Sequence, residues 1–389
     1  PRMIYAGQLL LPDGPASVRL AEGVVRVEDG VIAAVEEGPL PRSYDRGGPE
    51  CLIAPPFVDT HLHLPQFDMI GAHGAPLLDW LQEVTFPSEA KWADADYARA
   101  MTHRVCDQLE ASGTRVVCAY SSVHQSATAA AIEVLTERGF RGVVGQALSE
   151  RFAPPELVAA PEDLLNQTAE LLDRFPPGSA VAAAVTPRFA ISCGEDLLAG
   201  CGRLAAERGA VIQTHLCETV RECDQVRELF GKGYVEVYRD AGLLTERSLL
   251  GHGVHLSDED RQTLVQTRAV IAHCPTANSF LRSGAMRLAD LHAAGVRVSL
   301  GSDIGAGYER AMPRVGRAMI ETAAVVGDDF PTAADAWWRI TAGNAAALGL
   351  DDVGVLHEGA WGELVVVEPD RPWLGGLVDP LATLLWAYG

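Results

Sequence analysis

Eight short apolar runs, most of them followed by an amphipathic stretch, constrain this chain more than any other feature. They read LIAPPFVDTHLH, TRVVCAY, RGVVGQAL, AVAAAVTPRF, AVIQTHL, SLLGHG, AVIAHCP and VRVSLGSD. Strands that are apolar almost throughout belong in a sheet covered on both faces. Eight of them in alternation with helical segments predict an α/β fold, a closed (β/α)8 barrel of the TIM type. An open doubly wound sheet is the alternative arrangement. Between the runs, DADYARAMTHRVCDQLEASG has the pattern of an amphipathic helix, and Ser257-Asp258-Glu259-Asp260 opens another with a capping signature. A barrel of this kind accommodates 389 residues as one unit, and a 48% hydrophobic content fills a large core.

The first 55 or so residues differ in texture. VRLAEGVVRVEDGVIAAVEEG alternates β-branched residues with Gly, Asp and Glu, which predicts short strands joined by turns in an antiparallel module. Helical pattern persists to about residue 350. AWGELVVVEP then supplies one more strand, which returns to the N-terminal module.

The formal net charge of −21 sets this chain against phosphate backbones and excludes nucleic acid as a partner. No apolar run is long enough for a membrane span, and PRMIYAGQLLLPDG lacks the layout of a signal peptide. The eight cysteines are scattered without a CxxC pair, which suits reduced thiols in a cytoplasmic protein.

In a (β/α)8 barrel, side chains at the C-terminal strand ends build the active site. Here those ends carry His61 and His63, then Arg188 and Phe189, then His215 with Glu218 three residues on, then His252, His273 and Asp303. Five of the eleven histidines fall at these points. His61 and His63, two apart on a strand, face the same way. Neutral imidazoles with a carboxylate suit Zn2+ or a similar divalent ion that keeps a position open for water. Each residue also has a purely structural reading. Asp303 could cap a helix, and Glu218 could sit in a first helical turn. His252 and His273 could be core histidines, Arg188 could close the barrel end in an ion pair, and Trp80 could simply pack.

The segments FVDTHLHLPQFDMIGAHGAPLLDWL, TFPSE, TPRF, THLCE, IAHCPTANSFLRSG and GSDIGAG, in this order from residue 57, resemble the guanine deaminase family of the metal-dependent amidohydrolase superfamily. The resemblance implies a barrel over residues 55–355. It also implies a small β-sandwich assembled from residues 1–54 and 356–389, with the C-terminal part incomplete at LLWAYG. It implies one Zn2+ per chain on His61, His63, His215 and Asp303, with Glu218, His252 and Asp303 catalytic. Gln66, Arg188, Phe189 and Trp80 then bind a small-molecule purine, and the protein is a cytoplasmic homodimer. The implied reaction is hydrolytic deamination of guanine to xanthine and ammonia. Rival readings are a deaminase of 8-oxoguanine, a pterin, a triazine or a cytosine-like ring, and a non-catalytic scaffold on the same fold. Binuclear members of the superfamily bridge two metals with a modified lysine at the end of strand 4. Run 4 has no lysine, and Lys91 and Lys232 lie away from every strand end, so a mononuclear site is expected. Two positions depart from the family pattern: His73 stands where relatives commonly have tyrosine, and Pro56 where glycine is usual.

Overall fold

The computed structural model describes residues 2–14, 16–72, 76–369 and 378–388; His73 lies outside them. Four strands open the chain: β1 (Arg2–Pro12), β2 (Val18–Glu28), β3 (Val31–Glu37) and β4 (Arg46–Ala54). The apolar runs follow as β5 (Phe57–His63), β6 (Thr114–Tyr120), β7 (Arg141–Gly145), β8 (Val181–Ala184), β9 (Ile212–Leu216), β10 (Ser248–His252), β11 (Val270–His273) and β12 (Arg297–Leu300). All seven residues of β5 and all five of β10 are buried, the polar Asp59, Thr60, His61, His63, Ser248 and His252 included, as in a sheet covered on both faces.

These eight strands pair in parallel as two four-stranded sheets, in the orders β5-β6-β7-β8 and β12-β11-β10-β9. Two seams close them into a barrel. Val185, one residue past β8, bridges Ile212 of β9 in parallel. Opposite, Asp303 N–H donates to the His61 carbonyl and His63 N–H to the Ile304 carbonyl, both at 2.7 Å. Asn344 clamps the same seam from within. Its Nδ2 donates to the carbonyls of Val58 and Leu300 at 2.7 Å each, and its Oδ1 accepts from Leu300 N–H at 2.8 Å. The fourth strand ends at Ala184, short of its apolar run, but parallel pairing resumes beyond it: Leu148 bridges Pro187, and Arg188 N–H donates to the Leu148 carbonyl at 3.0 Å.

The helical segments form where the sequence signals lie. Asp94 caps the helix Ala95–Ala111 through Asp96 N–H and Tyr97 N–H, and the helix buries Ala98, Met101, Thr102, Val105 and Leu109 on one face. Ser257 and Asp260 form a reciprocal capping box at the start of the helix Asp258–Thr267.

The N-terminal strands and β13 (Val365–Val367) make one five-stranded sheet in the order β13-β4-β1-β2-β3. The strand in AWGELVVVEP thus returns to the N-terminal module, pairing antiparallel with β4. The module is not wholly antiparallel, because β4 crosses over and lies parallel to β1. One core beneath it joins Leu9, Val25, Val27, Ile32 and Ile53 to Leu356 and Ala360. Leu10, Val18, Leu52 and Ala54 belong instead to the main core shared with the barrel. Among the described residues no helix is long and apolar enough to cross a membrane.

Candidate active site

The residues at the strand ends converge. His61, His63, His215 and Asp303 each place one donor atom within 4.8 Å of the others, and three of the four are buried. The Nε2 atoms of His61 and His63 both lie 3.4 Å from Asp303 Oδ1, and the Nε2 atoms of His63 and His215 face each other at 3.1 Å. Two glycines make room for His61. A Cβ on Gly251 would stand 2.6 Å from its Cε1, and one on Gly301 2.6 Å from its Cβ. Both glycines sit in strand-end motifs, SLLGHG and VSLGSD.

Burial pushes the imidazolium form of His61, His63 and His215 well below the usual histidine range, and the neighbouring histidines add to the effect. The three rings are therefore neutral. The Arg188 carbonyl stands 2.6 Å from His215 Nδ1; a carbonyl can only accept, so the proton sits on Nδ1 and the Nε2 lone pair faces the cluster. His61 Nε2 is buried without a hydrogen-bond partner. Neutral nitrogen lone pairs aimed at each other and at a carboxylate leave a space that suits a divalent cation and nothing apolar. A second grouping, His252, Cys274 and Asp303, shares the aspartate. Its thiol is held protonated by burial and turns to the Ala272 carbonyl at 3.3 Å, so the four-residue set is the better donor group.

Beside this cluster stand two more polar side chains. His252 Nε2 lies 3.3 Å from Glu218 Oε2 and 3.8 Å from Asp303 Oδ2. Its Nδ1 faces Asn278 Oδ1 at 2.8 Å, a side-chain amide rather than a backbone carbonyl. Glu218 Oε1 accepts from Ser283 Oγ at 2.7 Å. Burial, reinforced by the Asp303 charge, pushes Glu218 up to about 8, against the pull of that hydrogen bond. Burial likewise raises Asp303 to about 6. Both His252 and Asp303 adopt positive φ, 74° and 50°, a conformation that costs a non-glycine residue about 1 kcal/mol or more and is concentrated at functional sites.

The structural alternatives fare differently. Asp303 starts no helix; its carbonyl accepts from Gly307 N–H in a turn. Glu218 precedes the Thr219 cap of the helix Val220–Phe230 and so lies outside its first turn. Arg188 does form an ion pair, with Glu89 at 2.6 Å, yet it also lines the cavity above the cluster. Gln66, Trp80 and Phe189 line that cavity too, with Leu77, Leu281 and Ala306 as apolar wall. Trp80 Nε1 donates to the Ala72 carbonyl at 3.2 Å, leaving its ring free to pack. His273, at the end of β11, is buried and lies outside the group of four. His124 is half-buried ahead of the helix Gln125–Glu137 and lines no part of the cavity.

Glu89, Asn278 and Ser283 were not singled out by sequence reasoning. Each lies in a segment quoted for the family resemblance, TFPSE or IAHCPTANSFLRSG. Nothing local to those segments reveals which side chain turns inward.

A family model described as the amidohydrolase family matches residues 52–384. The guanine deaminase of Escherichia coli (strain K12) is 35% identical over 322 residues, covering 82% of this chain and 73% of that enzyme. The guanine deaminase of Dictyostelium discoideum is 34% identical over 309 residues, covering 77% and 69%. Among solved structures, the E. coli guanine deaminase superposes with a TM-score of 0.91 at 30% identity, over 99% of this chain and 94% of that one. A guanine deaminase from C. acetobutylicum, with guanine bound in its active site, gives 0.92 at 28% identity, over 100% and 96%. The chain belongs to the amidohydrolase family and groups there with the guanine deaminases.

Proposed function

We propose that the chain is a zinc-dependent hydrolase that converts guanine and water to xanthine and ammonia. The observation that carries this is the meeting of the donor cluster with Glu218, His252, Gln66 and Arg188 in one cavity. Likeness to enzymes named as guanine deaminases over more than three quarters of the chain supports the same substrate.

His61, His63, His215 and Asp303 would hold one ion per chain; bound there, it supplies the Lewis acidity that makes water nucleophilic at neutral pH. His252 Nε2 and Asp303 Oδ2, 3.8 Å apart, are the bases that orient the attacking water and take its proton. Water adds to C2 of guanine, the carbon that bears the amino group. Glu218, held protonated at neutral pH by burial, donates to a ring nitrogen and then carries a proton to the departing amine. The short Glu218–His252 contact lets one proton pass between them. Arg188 offers fixed donors to the purine carbonyl, Gln66 reads the ring edge, and Phe189 and Trp80 provide flat apolar walls.

The same reading takes residues 55–355 as the barrel and residues 1–54 with 356–389 as a small β-sandwich; the pairing of β13 with β4 supports a module built from both ends of the chain, although its described strands form one sheet and Pro380–Ala387 is a helix. It includes a cytoplasmic homodimer. Eight free cysteines, seven of them buried, suit a reducing compartment.

Ammonia release by the zinc-loaded protein, compared across guanine, 8-oxoguanine, isoxanthopterin, adenine and cytosine, tests the substrate. Selective release from guanine is expected. Release from another ring alone would keep the site and overturn the assignments of Gln66, Arg188 and Phe189.

A further inference from the structure

Gln66 follows β5 and Arg188 follows β8, the two outer strands of one parallel sheet, yet one side chain binds both. Glu89, fully buried on the short helix Phe86–Ala90, accepts from Gln66 Nε2 at 3.0 Å through Oε1 and from Arg188 Nη1 at 2.6 Å through Oε2. The helix is fastened to the segment after β5 by Ser88, whose Oγ donates to the Pro65 carbonyl at 2.9 Å. Gln66 Oε1 accepts from Gly305 N–H at 3.1 Å. A carboxylate only accepts and an N–H only donates, so these two partners fix which way the Gln66 amide points. Arg188 sits in a dry site, with both side chains of the pair at most 5% exposed, and Glu89 is its one ion-pair partner among the described residues.

We propose that Glu89 is the positioning and charge-balancing residue of this pocket: it holds Gln66 and Arg188 in register and offsets the arginine charge, so that the cavity receives a neutral purine and releases an acidic one. The inference rests on the proposed deamination of guanine. Xanthine carries one more acidic N–H than guanine and ionises more readily. An uncompensated guanidinium in a buried cavity would retain its anion, because a lone buried charge attracts any available counter-charge strongly. With Glu89 in place, the product meets a pocket whose cation is already paired.

The test compares steady-state guanine turnover, xanthine inhibition and bound metal in the wild type, Glu89→Gln and the double variant Glu89→Gln with Arg188→Gln. Glu89→Gln is expected to lower kcat/KM for guanine by about tenfold or more, as a lost charge-assisted hydrogen bond does. It is also expected to tighten xanthine inhibition severalfold at unchanged metal content. The double variant, which has no unpaired charge, should lose that extra xanthine affinity. A merely structural role would weaken guanine and xanthine together, so xanthine inhibition that weakens or stays unchanged in Glu89→Gln overturns the proposal. If that variant does not fold, the wild type decides. Xanthine inhibition should weaken as pH rises through the ionisation of xanthine, and strengthening would contradict a charge-balanced pocket. Ammonia release from guanine by the wild type tests the underlying reaction separately, and xanthine binding can be read by calorimetry whatever that result.

Discussion

Glu218 Oε2 stands 3.3 Å from His252 Nε2 while its other oxygen accepts from Ser283 Oγ at 2.7 Å, so the carboxyl is held by two partners on the rim of the donor cluster. Removing its ability to exchange a proton should leave the cluster intact and stop the chemistry. Glu218→Gln, nearly isosteric, is predicted to lower kcat for guanine by about 10²–10⁴-fold, the usual span for a general acid–base group. Metal analysis of the same preparation should give the wild-type content. Near-wild-type turnover would remove Glu218 from the mechanism.

The pH profile follows from the direction of its shift. Burial and Asp303 raise Glu218 to about 8, and the acid form is the one that donates, so kcat/KM should hold below that pH and decline above it. Ser283 stabilises the ionised form and pulls the other way. Ser283→Ala should therefore move the alkaline limb to higher pH, and a limb that moves down would contradict the assignment.

Space for His61 is made by what two glycines lack. In Gly251→Ala the new Cβ would meet the imidazole at 2.6 Å, and the ring cannot retreat without leaving Asp303. The variant is predicted to lose about 1–3 kcal/mol of stability by overpacking, with reduced metal content. A melting curve with metal analysis checks both, and full metal occupancy at the wild-type Tm would show that His61 has room to spare.

Asn344 joins β5 to β12 with three hydrogen bonds at 2.7–2.8 Å. Asn344→Ala leaves buried backbone groups of both strands unsatisfied and should cost about 2–4 kcal/mol, at one to a few per group. Chemical denaturation measures this. Because the clamp lies beneath the cluster, activity at low temperature should largely survive.

Much of this site was legible in the sequence, for a physical reason. A parallel strand is read as an apolar run, and the barrel places whatever follows each run at one mouth. His61, His63, His215, His252 and Asp303 could therefore be assembled without coordinates. The partners that hold them were not legible. Asn278 and Glu89 reach the site from helices outside the strands, across 26 and 23 residues respectively, and no periodicity marks which way they turn. The crossover that sets β4 parallel to β1 escaped for a similar reason: alternation reveals strands but not their direction. Gly251 and Gly301 are visible as letters, yet their role depends on a histidine from a different strand.

The central claim is that one ion held by these four residues enables hydrolysis of guanine. Ammonia release from guanine should be measured on one preparation before chelation, after chelation, and after zinc is restored. The account predicts release, its loss, and its recovery at one zinc per chain. Release that persists in protein shown to be metal-free would contradict it.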